Sequence, residues 1–111
     1  MSNQSKVIEE GIKAARKLVD LGDALERLKS NRDFRTIVME GYFEQEAIRL
    51  VQAKSNPGLQ SAEMQKSILT QIDAIGNLNL YFSTIVQQAT MARKNIEIDE
   101  AELEAIANEE V

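Results

Sequence analysis

The sequence predicts an all-α protein, on the evidence of its composition and its hydrophobic spacing. Hydrophobic residues make up 43% of the 111 residues, aromatic residues only 5%, and there is one proline. This balance favours helices built on aliphatic side chains over a β-sandwich. Apolar residues also recur every three or four positions in three long stretches, which predicts amphipathic helices at about residues 5–29, 31–54 and 61–94. We expect these helices to pack as a bundle or coiled-coil-like assembly in a domain at residues 1–94, followed by an acidic segment at residues 95–111 that forms a short C-terminal helix or a tail.

The first predicted helix has a regular apolar stripe along one face. Its members are Ile8, Ile12, Ala15, Leu18, Val19, Gly22, Leu25 and Leu28. Gly11 and Gly22 lie beside or on this stripe, although a glycine inside a helix costs about 1 kcal/mol relative to alanine. Because a residue without a side chain lets another backbone come close, both glycines predict a tightly packed neighbouring helix. A local kink is the alternative.

The second predicted helix begins after a capping sequence and ends before a turn. Ser30 and Asp33 have the spacing of a capping box, in which the serine hydroxyl accepts a hydrogen bond from the Asp33 amide. The apolar spacing then continues to about Lys54. Pro57 and Gly58 follow and predict a turn at which the chain reverses direction.

The third predicted helix is the longest. Ser61 is its predicted N-cap, and the apolar stripe then keeps its period for about 30 residues, which corresponds to a helix about 45 Å long. We expect it to continue through Gly76 because the stripe keeps its phase there, with a bend or an end of the helix at Gly76 as the alternative. The cations Arg93 and Lys94 predict its end. In the alternative interpretation the helix continues to about Asn108.

Negative charge is concentrated at the C-terminal end. The net charge is −5, and the residues after position 96 carry acidic side chains and no basic one. These side chains are Glu97, Asp99, Glu100, Glu102, Glu104, Glu109 and Glu110. They form either a solvated tail that keeps an assembly soluble or a polyanionic segment that docks on a basic surface. Because the excess charge repels phosphates, we expect no direct contact with nucleic acid.

The residue types exclude most catalytic chemistry. The sequence has no cysteine and no histidine, which excludes disulfides, thiolate nucleophiles, histidine bases and the usual zinc and haem ligands. The five glycines form no phosphate-binding loop. Glu40 and Glu44 lie one helical turn apart, but such pairs are typical of a solvated face. We therefore predict no enzyme, no catalytic residue, no metal, no cofactor and no small-molecule substrate.

Amphipathic helices of this length expose their apolar stripes unless other helices cover them. We therefore expect a homo-oligomer or a protein partner, and no membrane contact, because the polar faces are rich in glutamine or acidic rather than basic. The helix–helix seam is predicted on the longest helix, with two points of close approach on the first. These interface residues are Ile72, Ile75, Phe82, Ile85 and Ala89, with Gly11 and Gly22.

Several short stretches carry a resemblance to a group of known proteins. They are Asp-Phe-Arg at 33–35, Gly-Tyr-Phe at 41–43, Glu-Ala-Ile-Arg-Leu-Val at 46–51, Asn-Pro at 56–57 and Ile-Asp-Ala-Ile-Gly at 72–76. In these stretches the chain resembles small all-helical proteins that tailed bacteriophages encode among their head and packaging genes. The resemblance implies a virion or head-morphogenesis protein that acts through helix–helix contacts in the host cytoplasm or in the virion. The acidic C-terminal end differs from the basic capsid-binding ends of phage scaffolding proteins.

A regulator is the alternative function. In this hypothesis the protein binds and inhibits a nucleic-acid-handling protein, and its acidic tail imitates the charge of phosphates. The tail residues that would do so are Glu97, Asp99, Glu100, Glu102 and Glu104.

Overall fold

The computed structural model describes residues 3–110, which form helices joined by short turns and contain no strand. The all-α class is therefore confirmed. The second predicted helix is a continuous segment with a π-helix between two α-helices. In chain order the elements are α1 (Asn3–Lys29), α2 (Arg32–Phe34), the π-helix (Arg35–Glu46), α3 (Ala47–Ser55), a 3₁₀ turn (Pro57–Leu59) and α4 (Ala62–Glu109).

The N-cap of α2 is Asn31 rather than Ser30. The Asn31 side-chain oxygen accepts a hydrogen bond from the Phe34 amide at 2.9 Å. The predicted cap at Ser30 is wrong because its hydroxyl instead donates to the Glu26 carbonyl, at the end of α1, over 3.1 Å. Both residue types are good caps, and the extended backbone of Asn31 decides between them.

Replacing the cap should lower stability by a small, measurable amount. Asn31→Ala leaves the Phe34 amide without its side-chain acceptor, and we expect the free energy of unfolding to fall by about 1 kcal/mol. Urea unfolding followed by circular dichroism measures this loss. The control is Ser30→Ala, whose hydroxyl hydrogen bond is exposed, and we expect a change of less than about 0.5 kcal/mol. Equal losses in the two variants would contradict the assignment of the cap.

The turn between α3 and α4 is held by side-chain amides. Asn56 has the extended backbone that a residue before Pro57 favours, and its side chain accepts a hydrogen bond from the Gly58 amide at 2.8 Å. The Gln65 side chain donates to the Lys54 carbonyl at 3.0 Å, which satisfies an acceptor at the end of α3. The turn predicted at Pro57 and Gly58 is thus confirmed.

Helix α4 begins as the sequence predicts. The Ser61 hydroxyl accepts a hydrogen bond from the Met64 amide at 3.2 Å, so the predicted N-cap is confirmed. The helix then continues through Gly76 without interruption, where a side chain would meet open space.

The predicted end of this helix near Lys94 is wrong, and the alternative of a helix that continues to about Asn108 is confirmed, because α4 runs to Glu109. The cation at Arg93 does not terminate the helix but forms an ion pair with Asp23 of α1 at 2.8 Å. Further along, Leu103 and Ile106 are partly buried, which gives the last turns of α4 an apolar contact. The boundary predicted between residues 94 and 95 therefore falls inside a continuous helix.

The π-helix has a wider turn than the α-helices on either side of it. Its hydrogen bonds span five residues rather than four, which adds about one residue to each turn. Gly41 lies in its middle, and a Cβ added there would come within 2.9 Å of the Thr36 carbonyl oxygen, five residues earlier. The absence of a side chain at Gly41 thus relieves a contact that the wide helix creates.

The described residues divide into two compact units. Unit 1 combines the residues up to Leu25 with those from Thr84 onward, and unit 2 comprises Glu26–Ser83. In unit 2, Leu50 is the most buried side chain, at 1% exposure, and forms a cluster with Ile68 and Ile75. Partly buried hydrophobic residues surround this cluster: Tyr42, Phe43, Ala47, Ala53, Leu59 and Ile72.

Candidate interaction site

Unit 1 is an antiparallel pair of helices. Two interhelical ion pairs set the direction: Asp23 with Arg93 at 2.8 Å, and Arg16 with Glu100 at 3.0 Å. Residue numbers fall along α1 as they rise along α4, so the two helices run in opposite directions. We call this pair the hairpin.

The inner faces of the hairpin follow the spacing of a coiled coil. Buried and partly buried residues alternate at intervals of three and four on both helices, which keeps one stripe of each helix facing the other. We call this contact the seam. Its residues are Ser5, Ile8, Ile12, Ala15, Val19 and Gly22 on α1, and Ile85, Ala89, Ala92, Ile96, Asp99, Leu103 and Ile106 on α4.

Gly22 is a point of very close approach between the two helices. A Cβ added at Gly22 would lie 2.4 Å from the Cβ of Ala89, so the backbones meet with no room for a methyl group. Gly11 is different. The nearest atom to a Cβ at Gly11 is Oδ2 of Asp99, at the ordinary contact distance of 3.8 Å. Gly11 is exposed and lies beside the seam rather than in it.

The two sides of the seam differ in chemistry. Arg16 and Asp23 are seven residues apart, as are Arg93 and Glu100, so both ion pairs lie on the same side. The opposite side has an open groove of about 320 Å³, which we call the hairpin groove. It is lined by Gly11, Ala14, Ala15, Leu18, Gln88, Met91, Ala92 and Asn95.

Large apolar side chains are exposed along the hairpin groove and beyond its ends. Val7 is 67% exposed and Met91 is 64% exposed, and Leu18, Leu21 and Ile98 are each more than a third exposed. Val7, Gly11, Ala14, Leu18 and Leu21 recur at intervals of four and three along α1. This second stripe runs parallel to the seam, and Val7, Leu18 and Leu21 on it remain exposed among the described residues.

The predicted interface residues are divided between the two units. Ile75, Ile85 and Ala89 are buried by contacts within the chain itself, and Ile72 and Phe82 are partly buried. In unit 2 the Phe82 ring lies 5.8 Å from the Phe43 ring in a nearly perpendicular arrangement. Contact of these residues with a partner or a second copy stays a prediction.

The acidic residues predicted as a tail are part of α4. Glu100 pairs with Arg16 and Asp99 is partly buried in the seam. Glu97, Glu102 and Glu104 are exposed. Because positions 97 to 104 span more than two turns, these acidic side chains point in several directions around the helix.

Glu46 and Arg49 form a local ion pair in unit 2. Hydrogen bonds from the Arg49 guanidinium lower the pKa of the Glu46 carboxyl, and the same bonds raise the pKa of Arg49. The two residues are one turn apart in the same helical segment, and the pair is local. Among residues 3–110, no three acidic side chains come together in a way that could hold a metal ion. None of the helices between those residues has an apolar stretch that could cross a membrane.

The comparisons with known proteins give no relative. No family model, no curated protein and no protein of solved structure matches the chain.

Proposed function

We propose that this protein is a non-enzymatic assembly component that acts through helix–helix contacts in a bundle or coiled-coil-like assembly. One observation carries the proposal: large apolar side chains are exposed in stripes on well-formed helices. On α3, Ile48 and Val51 are neighbours on one face and both are more than half exposed. On α1 the second stripe adds Val7, Leu18 and Leu21.

Burial of such stripes by another helix would supply substantial binding energy. A large aliphatic side chain gains about 1.5–3 kcal/mol when it is fully removed from water. Contiguous exposed apolar faces are typical of protein–protein contact sites, whereas isolated exposed hydrophobic residues are ordinary. Surfaces of this kind on both units support association as the function of the chain.

The proposed setting is the head of a tailed phage or the pathway by which that head is built. The sequence resemblance around residues 33–51 and 72–76 supports this setting. The setting places the protein in the host cytoplasm or in the virion. In this setting the protein partner is a larger head or packaging component.

The composition of phage particles tests this proposal. Heads and head precursors are purified from cells producing the phage that encodes the chain, and mass spectrometry measures its copy number. We expect a fixed number of copies per particle. The variant Ile48→Gln/Val51→Gln should weaken the contact by about tenfold for each 1.4 kcal/mol of contact energy that it removes, and the copy number should fall.

The matched control changes exposed polar residues on the same helical segment. Gln45→Ala/Gln52→Ala should leave the copy number unchanged, because both side chains lie in water. Circular dichroism of each purified variant checks that the helices form. Absence of the chain from both heads and precursors would show that the proposed function is wrong.

The regulator with a phosphate-like acidic segment stays a prediction. It receives no second proposal, because the acidic side chains are distributed around α4 and Glu100 is paired within the chain.

A further inference from the structure

We infer that the hairpin groove binds the same groove of a second copy, with the two hairpins antiparallel. This inference rests on the proposed function, association through helix–helix contacts, and names one surface and one partner for it. The two sides of the hairpin differ: ion pairs lie on one side of the seam, and the other side is apolar and open.

The groove has the character of a second helix-packing face. The stripe from Val7 to Leu21 keeps the same alternation of four and three residues as the seam beside it. A helix with two adjacent stripes of this kind contacts two neighbours, one on each stripe. The partner on the first stripe of α1 is α4, whereas Val7, Leu18 and Leu21 on the second stripe remain exposed in the part of the chain that the structure describes. On α4, the polar residues that line the groove are the uncharged Gln88 and Asn95.

Exposed charges lie at nearly equal distances on either side of a middle position on each helix of the hairpin. On α1, Glu10 and Lys17 lie four residues before and three residues after Ala14. On α4, Lys94 and Glu102 lie four residues before and four after Ile98. All four charged side chains are exposed.

Ala14 and Ile98, the middle positions of the two helices, lie at nearly the same level along the axis of the hairpin. Gly22 is opposite Ala89. Because the helices are antiparallel, counting from that pair places position 14 opposite position 97. Ala14 and Ile98 are therefore level with each other to within about one residue, or about 1.5 Å along the helix. A single two-fold axis can pass through both.

These charges decide how a second copy lies in the groove. When two hairpins face each other in the same direction, Lys17 comes opposite Lys94 of the second copy, which is repulsive. When they face each other in opposite directions about the axis through Ala14 and Ile98, Lys17 comes opposite Gly11 of the second copy, one residue from Glu10. Lys94 then comes opposite Glu102. Each edge of the antiparallel arrangement therefore pairs opposite charges, which is the complementarity that favours a specific interface.

The sizes of the apolar residues agree with the same axis. Leu18 of one copy lies within one residue of the level of Gly11 in the other, so a large side chain lies beside a position without one. Met91 likewise lies opposite Ala105, and the two copies of Ala14 meet at the centre. Gly11 lines the open groove, so a side chain of the second copy can lie over it. A two-fold contact of this kind uses the same patch on both copies.

Sedimentation equilibrium of the full chain, at several micromolar concentrations and moderate salt, tests the inference. We expect the wild-type chain to have twice the 12.4 kDa mass of the monomer. Lys17→Glu/Lys94→Glu places like charges along both edges and should weaken dimerisation by about 100-fold. Lys66→Glu, an exposed change of the same type in unit 2, is the matched control and should leave the mass unchanged.

A charge swap makes the test specific. Adding Glu10→Lys/Glu102→Lys to the Lys17→Glu/Lys94→Glu variant exchanges the charges on both edges and should restore the dimer. Circular dichroism confirms folding of each variant, and Glu10→Lys/Glu102→Lys alone should also give monomers.

Three results would overturn the inference: a monomeric wild-type chain, a dimer that survives Lys17→Glu/Lys94→Glu, or a charge swap that does not restore association. These outcomes are separate from failure of the proposed function. The copy number in particles measures contact with head proteins, whereas the mass in solution measures contact with a second copy.

Discussion

Leu50→Ala is expected to lower the free energy of unfolding by about 2–5 kcal/mol, the range for truncating a buried leucine. Leu50 is 1% exposed and contacts Ile68 and Ile75, so alanine leaves a cavity that these neighbours fill only in part. Small domains have a total stability of about 5–15 kcal/mol. The substitution therefore removes a large share of the stability, and the urea midpoint should fall markedly.

The adjacent residue provides the control for this prediction. Val51 is 61% exposed, and Val51→Ala removes methyl groups that already contact water. We expect this variant to change the free energy of unfolding by less than about 0.5 kcal/mol. Urea unfolding of both variants, followed by circular dichroism at a helix wavelength, gives the comparison. A loss at Leu50 no larger than that at Val51 would contradict the core described for unit 2.

Gly22→Ala should be destabilising even though alanine is the better helix former. The new Cβ would lie 2.4 Å from the Cβ of Ala89, so α1 and α4 must move apart. Overpacking of this kind costs about 1–3 kcal/mol, and the contact here is severe enough to exceed the gain of about 1 kcal/mol in helix propensity. The net effect is a lower urea midpoint.

Two variants separate the close contact from helix propensity. Gly76→Ala has the same propensity gain and no atom within 4 Å of the new Cβ, so it should raise the free energy of unfolding by up to about 1 kcal/mol. Gly22→Ala/Ala89→Gly moves the missing methyl group to the other helix and should recover most of the stability. Equal stabilisation by Gly22→Ala and Gly76→Ala would contradict the close contact between α1 and α4 at Gly22.

The sequence predicts the helices well because their apolar spacing and turn residues are local signals. Pro57 and the cap at Ser61 fix their turn through contacts within a few residues. The end of α4 is different. Arg93 is a typical last-turn cation, but it is equally able to pair with a second helix, and only the position of Asp23 shows which occurs. Ser30 and Asn31 are adjacent and equally good caps, so backbone conformation distinguishes them.

The candidate site is harder to predict, because spacing does not say which stripe is covered. Ile75, Ile85 and Ala89 have the spacing of an interface, and the chain uses all three in its own packing. The second stripe on α1 is visible in the sequence as Val7, Leu18 and Leu21, but the small residues between them, Gly11 and Ala14, weaken its hydrophobic signal. Only the structure shows that the ion pairs lie on the other side of the hairpin and that this stripe remains exposed.

The order of the two units along the chain also affects how the protein folds as it is synthesised. Unit 2 is one continuous stretch, Glu26–Ser83, whereas the two helices of the hairpin come from opposite sides of that stretch. At a synthesis rate of about 5–20 residues per second, the intervening stretch takes about 3–12 seconds to make. During that time α1 has been made and its seam residues have no α4 to contact. Closing the hairpin is thus a late, long-range step, and a nascent α1 is available to the α4 of a neighbouring chain before its own arrives.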